Sequence, residues 1–113
     1  MKQYLSPEQT AKLIELGFDR PKNRVIKQLL DRSTDSWITI GEEGDYSIGE
    51  LIEILKPIKN LKISVYNSYN DLEDLIVKRL LNNEWEILFG AVGEDLIDLL
   101  FSAIVKLKED EVI

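Results

Sequence analysis

The 113-residue chain contains neither cysteine nor histidine. No disulfide can staple it and no tetrahedral Cys/His zinc site can nucleate it, so any fold must rest on its own apolar core. At this length a single domain over residues 1–113 is expected. Such a chain buries roughly two-thirds of the surface its unfolded form exposes. Hydrophobic residues make up 44% and charged residues 31%, which suits a folded chain better than a disordered one.

The same absence bounds the chemistry. Histidine titrates near neutrality and cysteine is the readiest nucleophile. Without them most acid–base relays, thiol reactions and Ser-His triads cannot be assembled. The chain is therefore expected not to be an enzyme. No catalytic residue, metal ligand or cofactor is expected.

Net charge is −7, from 14 basic and 21 acidic residues. Residues 1–57 hold 8 basic and 10 acidic residues, and residues 58–113 hold 6 and 11, so the excess lies mainly in the second half. A field of that sign opposes nucleic-acid binding. Arg20, Lys22, Arg24, Lys27 and Arg32 form one basic cluster, with Asp19 and Asp31 beside it. This reads as a solvated helix face. Apolar runs are only a few residues long, so no membrane span is expected. Met1-Lys2-Gln3-Tyr4 has one basic residue and no apolar segment behind it. No secretory signal is expected there, and with it a cytoplasmic location is expected.

Ser6 with Gln9 forms a capping box, Pro7 suits a first helical position and Gly17 a stop, predicting a helix near 6–16. Pro21 opens a second helix near 22–31, with Val25, Ile26, Leu29 and Leu30 on one face. Trp37-Ile38-Thr39-Ile40 predicts a strand. Ser47 and Glu50 form another capping box, and Tyr46 with Leu51 a hydrophobic staple, for a helix near 47–56 ending before Pro57. Leu61, Ile63 and Val65 alternate with polar residues, a strand near 61–66. Asn70 caps a helix near 70–82 carrying Leu72, Leu75, Ile76, Leu80 and Leu81, broken by Asn82-Asn83. Trp85, Ile87 and Phe89 alternate with Glu84, Glu86 and Leu88, a strand near 84–90 ending at Gly90.

A final helix near 94–109 carries a narrow polar stripe of Glu94, Asp98, Ser102, Lys106 and Asp110, and nearly everything else in it is apolar. So wide an apolar surface must be covered on several sides, making it a core helix or partly a subunit interface. The fold class is α+β: a sheet of about three strands (37–40, 61–66, 84–90) with helices (6–16, 22–31, 47–56, 70–82, 94–109) mainly on one face.

Several groups are candidates for chemistry. Asp71, Glu73 and Asp74, or Glu42, Glu43 and Asp45, hold oxygen ligands for a hard cation, but neither has EF-hand spacing and helix starts attract acids. Asp95 and Asp98 lie on an exposed stripe, a poor place to desolvate a carboxylate. Lys12, Lys56 and Lys78 have no Ser-x-x-Lys partner. Gly41 and Gly44 lack the remainder of a phosphate loop, and Gly90 and Gly93 precede Glu94 and Asp95, which repel phosphate. Trp37, Trp85, Tyr66 and Tyr69 offer an aromatic patch; the tryptophans fit a core and the tyrosines lie beside a polar loop.

Tyr4-Leu5-Ser6-Pro7-Glu8-Gln9-Thr10-Ala11-Lys12-Leu13 is similar to the first helix of excisionase-like helix-turn-helix proteins, but no recognition helix follows. More broadly, three passages resemble small uncharacterised phage, prophage and mobile-element proteins of gut bacteria. These are the opening helix with Leu16-Gly17-Phe18, Tyr46-Ser47 with Glu50-Leu51-Ile52 and Leu55, and Glu94-Asp95-Leu96-Ile97-Asp98-Leu99-Leu100-Phe101. That resemblance implies no activity. The expected partner is another protein or a second copy, through the C-terminal helix, with no nucleic acid and no membrane. The alternative is an acidic inhibitor or nucleic-acid mimic that blocks a basic site on another protein.

Overall fold

The computed structural model describes residues 3–22, 24–67 and 71–113, and the backbone alone over 24–29, 31 and 37–43. The chain is α+β. Helix α1 spans Pro7–Glu15. The Gln9 N–H donates to Ser6 Oγ at 3.2 Å and the Ser6 N–H donates to Gln9 Oε1 at 2.9 Å, so the capping box is complete. Gly17, at φ 101°, closes the helix. Its N–H reaches the Ile14 carbonyl and that of Phe18 the Leu13 carbonyl, the paired bonds of a Schellman stop.

Strand β1 (Arg24–Asp31) pairs antiparallel with β2 (Ser36–Glu43), from Arg24↔Glu43 to Asp31↔Ser36. The expected helix over 22–31 is thus a strand. Val25, Ile26, Leu29 and Leu30 satisfy a helical spacing, yet a short apolar run with β-branched members is ambiguous, and a β-rich neighbour decides it. Residues 32–35 make the turn, with Asp35 at φ 52°. Residues 37–40 are strand as expected, but within this separate two-stranded sheet.

Helix α2 (Ile48–Leu55) carries the second capping box, the Glu50 N–H donating to Ser47 Oγ at 3.3 Å and the Ser47 N–H to Glu50 Oε1 at 3.3 Å. Strands β3 (Leu61–Asn67), β4 (Glu73–Leu81) and β5 (Glu84–Gly93) form an antiparallel sheet in the order β3-β4-β5. The expected helix over 70–82 is therefore its central strand; Asn70, read as the cap, lies outside the described residues. Fully buried Leu75 and Val77 alternate with less buried Asp74, Ile76 and Lys78, a period of two. Asn82-Asn83 is not a helix breaker. Both residues have positive φ, 53° and 64°, and they form the two-residue turn of the β4–β5 hairpin, where twist favours that conformation.

Helix α3 (Leu96–Glu109) lies across β4 and β5 and also packs on α2. Ile97, Leu100, Ala103, Ile104 and Leu107 are almost completely buried, alongside Leu13, Leu51, Leu55, Leu75 and Val77. Gln9 Nε2 donates to Asp98 Oδ1 at 2.9 Å and ties α1 to α3. No helix among the described residues is long and apolar enough to cross a membrane. The β1–β2 hairpin makes no extensive packing with other elements among the described residues. The chain measures 67 × 35 × 19 Å with a radius of gyration of 17.8 Å, against about 13 Å for a compact domain of this length.

Candidate functional site

In β4 every second side chain turns toward α3, and the alternate set, Asp74, Ile76, Lys78 and Leu80, turns the other way. Register places Tyr66 and Val92 beside Asp74, Ser64 and Gly90 beside Ile76, Lys62 and Ile87 beside Lys78, and Trp85 beside Leu80. These residues share the side of the sheet opposite α3, with Ser64 itself buried at 9% exposure among its neighbours. Tyr66 is 53% exposed, Trp85 51%, Ile87 67% and Val92 53%, while Leu75 and Val77 on the opposite face are 0% exposed.

A register shift between Val77 and Lys78 builds this face. Phe89 pairs with Val77 and Ile87 with Lys78, leaving Leu88 as an extra residue in β5. One inserted residue reverses which side the strand presents. Phe89 therefore joins the core side, while Trp85 and Ile87 reach the open side. Reading Trp85, Ile87 and Phe89 as one inward row fails for that reason, and Trp85 is not a core residue. The Trp85 ring is held from one side by Lys78, whose Nζ lies 4.9 Å from the ring centroid, a cation–π contact. On the covered side Arg79 Nε pairs with Glu86 Oε2 at 2.9 Å.

The acidic candidates scatter. Asp71 precedes β4, and Glu73 and Asp74 are neighbours on a strand and so point to opposite faces. Asp95 caps α3 without a side-chain cap bond, while Asp98 accepts from Gln9. Among the described residues no group of three carboxylates gathers as a metal site requires. Lys56 pairs with Glu53 at 2.7 Å, and Lys12 borders a shallow groove with Phe101 and Val105. Gly90 lies within β5, which continues past it to end at Gly93. Arg32 is exposed in the first hairpin turn. Tyr69 and the side chains of Arg24, Lys27, Trp37, Glu42 and Glu43 lie outside the described residues, and Gly41 stands within β2.

A cleft of about 610 Å³ opens between residues 18–22, α2 and the Val112–Ile113 segment. Phe18, Ile54 and Pro57 give it apolar walls, and Arg20 and Lys22 face Asp19, Glu50 and Glu53. Glu50 is already engaged: one carboxylate oxygen serves the cap and the other accepts the Lys22 N–H at 2.9 Å. The Tyr46 hydroxyl donates to the Asp19 carbonyl. Burial raises its pKa, and the negative charges of Glu50 and Asp19 raise it further. Opposed charges give the cleft no single-sign preference, so the open sheet face is the stronger candidate.

Comparison with known protein families, with curated proteins and with solved structures finds no match.

Proposed function

We propose that this protein is a non-enzymatic interaction domain, working in the cytoplasm, that docks the open face of its three-stranded sheet onto a protein surface. One observation carries the reading: Tyr66, Trp85, Ile87 and Val92 stand half or more exposed on a single face. Scattered apolar residues on a surface are ordinary, but several large ones gathered on one sheet face favour a binding surface, here with Asp74 and Lys78 of the central strand between them. Trp85 and Tyr66 are the residue types that dominate interface energetics, because a rigid ring delivers a large area at little entropic cost. The C-terminal helix α3 is the other apolar surface. Its apolar positions are largely occupied within the chain, by β4, β5 and α2.

The test is a benzophenone crosslinker placed at Ile87 and activated in the cells that make the protein. A protein adduct at Ile87, absent when the crosslinker is moved to exposed Glu8 on α1, is the expected result. Equal labelling at both positions, or none, counts against docking through this face.

A second reading is favoured by the net charge of −5 over residues 58–113: an acidic inhibitor steered onto a basic target site. It predicts that neutralising Asp71, Glu73 and Asp74 together slows association and flattens its salt dependence.

A further inference from the structure

The open face is polar along its strands as well as apolar, and that pattern identifies what fits it. On β4, Asp74 and Lys78 lie on this face at equal distances either side of Ile76, about 13 Å apart at strand rise. On β3, Tyr66 sits in the Asp74 row and Lys62 in the Lys78 row; on β5, Val92 and Ile87 do the same. Resting on the docking reading, we propose that the occupant is a second copy of this chain, packed face to face about a two-fold axis that passes over Ile76 and runs across the strands.

That rotation reverses the strand direction and keeps each strand opposite its equivalent. Ile76 then meets its own counterpart, and Gly90 meets Gly90, allowing close approach. Each Asp74 faces the other copy's Lys78, each Tyr66 ring faces a Lys62 ammonium, and each Val92 faces an Ile87. The Asp74, Ile76 and Lys78 rows all find a matching row under one operation, while the Leu80–Trp85 row lies beyond them. A two-fold interface demands this of a surface, since one patch must complement itself. Two packed sheets lie about 10 Å apart and tilt by about 30° from their twist, a separation side chains of this size fill. The paired ends also offset the repulsion between two copies that each carry −7.

The experiment uses the charge pairing, because it can be broken and rebuilt without touching the apolar centre. Sedimentation or light scattering is measured from micromolar to millimolar protein for the wild type, Asp74→Lys, Lys78→Glu and an equimolar mixture of the two variants. The wild type is expected to dimerise. Each variant alone places like charges opposite each other and weakens dimerisation by about a hundredfold. In the mixture each contact again joins opposite charges, so a heterodimer of near wild-type affinity forms.

Circular dichroism and thermal melting of both variants confirm that each folds. A wild type that stays monomeric at every concentration overturns the proposal, as does a dimer that neither variant weakens or a mixture that stays monomeric. The Ile87 crosslinker separates this failure from failure of the docking reading. An adduct with a different protein removes the self-pairing and keeps the docking face, whereas no adduct removes both.

Discussion

Tyr46 joins three parts of the chain through one residue. Its carbonyl accepts the Leu5 N–H at 2.9 Å, its ring lies in the core at 3% exposure, and its hydroxyl donates to the Asp19 carbonyl. Burial, then Glu50 and Asp19, raise its pKa above the ordinary 10.0. Below that value both folded and unfolded states hold the proton, and the full stabilisation is present. As pH rises, the unfolded chain gives up its proton first, so stability falls through the folded-state value. Tyr46→Phe, which deletes the hydroxyl and its hydrogen bond, should cost about 1 kcal/mol near neutrality. Its deficit should shrink above pH 10, as read from urea unfolding at a series of pH values. Thr10 presents the opposite case. It is 7% exposed and its Oγ1 has no hydrogen-bond partner among the described residues. Replacing that orphaned hydroxyl with a methyl, Thr10→Val, removes a desolvation penalty and should stabilise the fold by about 1 kcal/mol in the same assay.

Among the elements, those marked by local chemistry were legible and those decided by a partner were not. Ser6 with Gln9 and Ser47 with Glu50 start α1 and α2 where the capping pattern says, because a capping box is closed by groups three residues apart. Leu61, Ile63 and Val65 announce β3 by alternation. For β1 and β4 the same leucines and isoleucines satisfy both a helical and an extended reading, and only the facing strand resolves them. The two-residue Asn82-Asn83 spacer before another alternating run was the overlooked local signal for β4. It also carries a prediction. Asn83 sits at φ 64°, a conformation glycine adopts without strain, and Asn-Gly is the preferred pair for such a turn. Asn83→Gly should raise stability by about 0.5 kcal/mol, whereas Asn83→Ala should lower it by about 1 kcal/mol, with thermal melting as the readout.

At the scale of the whole molecule, the binding face could not be seen in the sequence even though Trp85 and Tyr66 stood out as aromatics. Its assembly needs β4 between β3 and β5, and it needs Leu88 displaced from the ladder so that Trp85 and Ile87 change sides. Neither condition is written in a local pattern. Its thermodynamic mark is nevertheless separable from that of the core. A contact made only between folded chains stabilises by mass action, so the melting midpoint of the wild type should rise with protein concentration. Trp85→Ser combined with Ile87→Ser removes side chains 51% and 67% exposed. That variant should melt at a concentration-independent midpoint and, at high dilution, match the wild type to within about 0.5 kcal/mol. Leu75→Ala, on the covered face at 0% exposure, should lose about 2–5 kcal/mol at every concentration and keep the wild-type dependence on concentration. Calorimetry across a dilution series distinguishes the three chains. A wild-type midpoint that does not move with concentration would mean that the two faces differ only in burial, and the open one would have no second copy to meet.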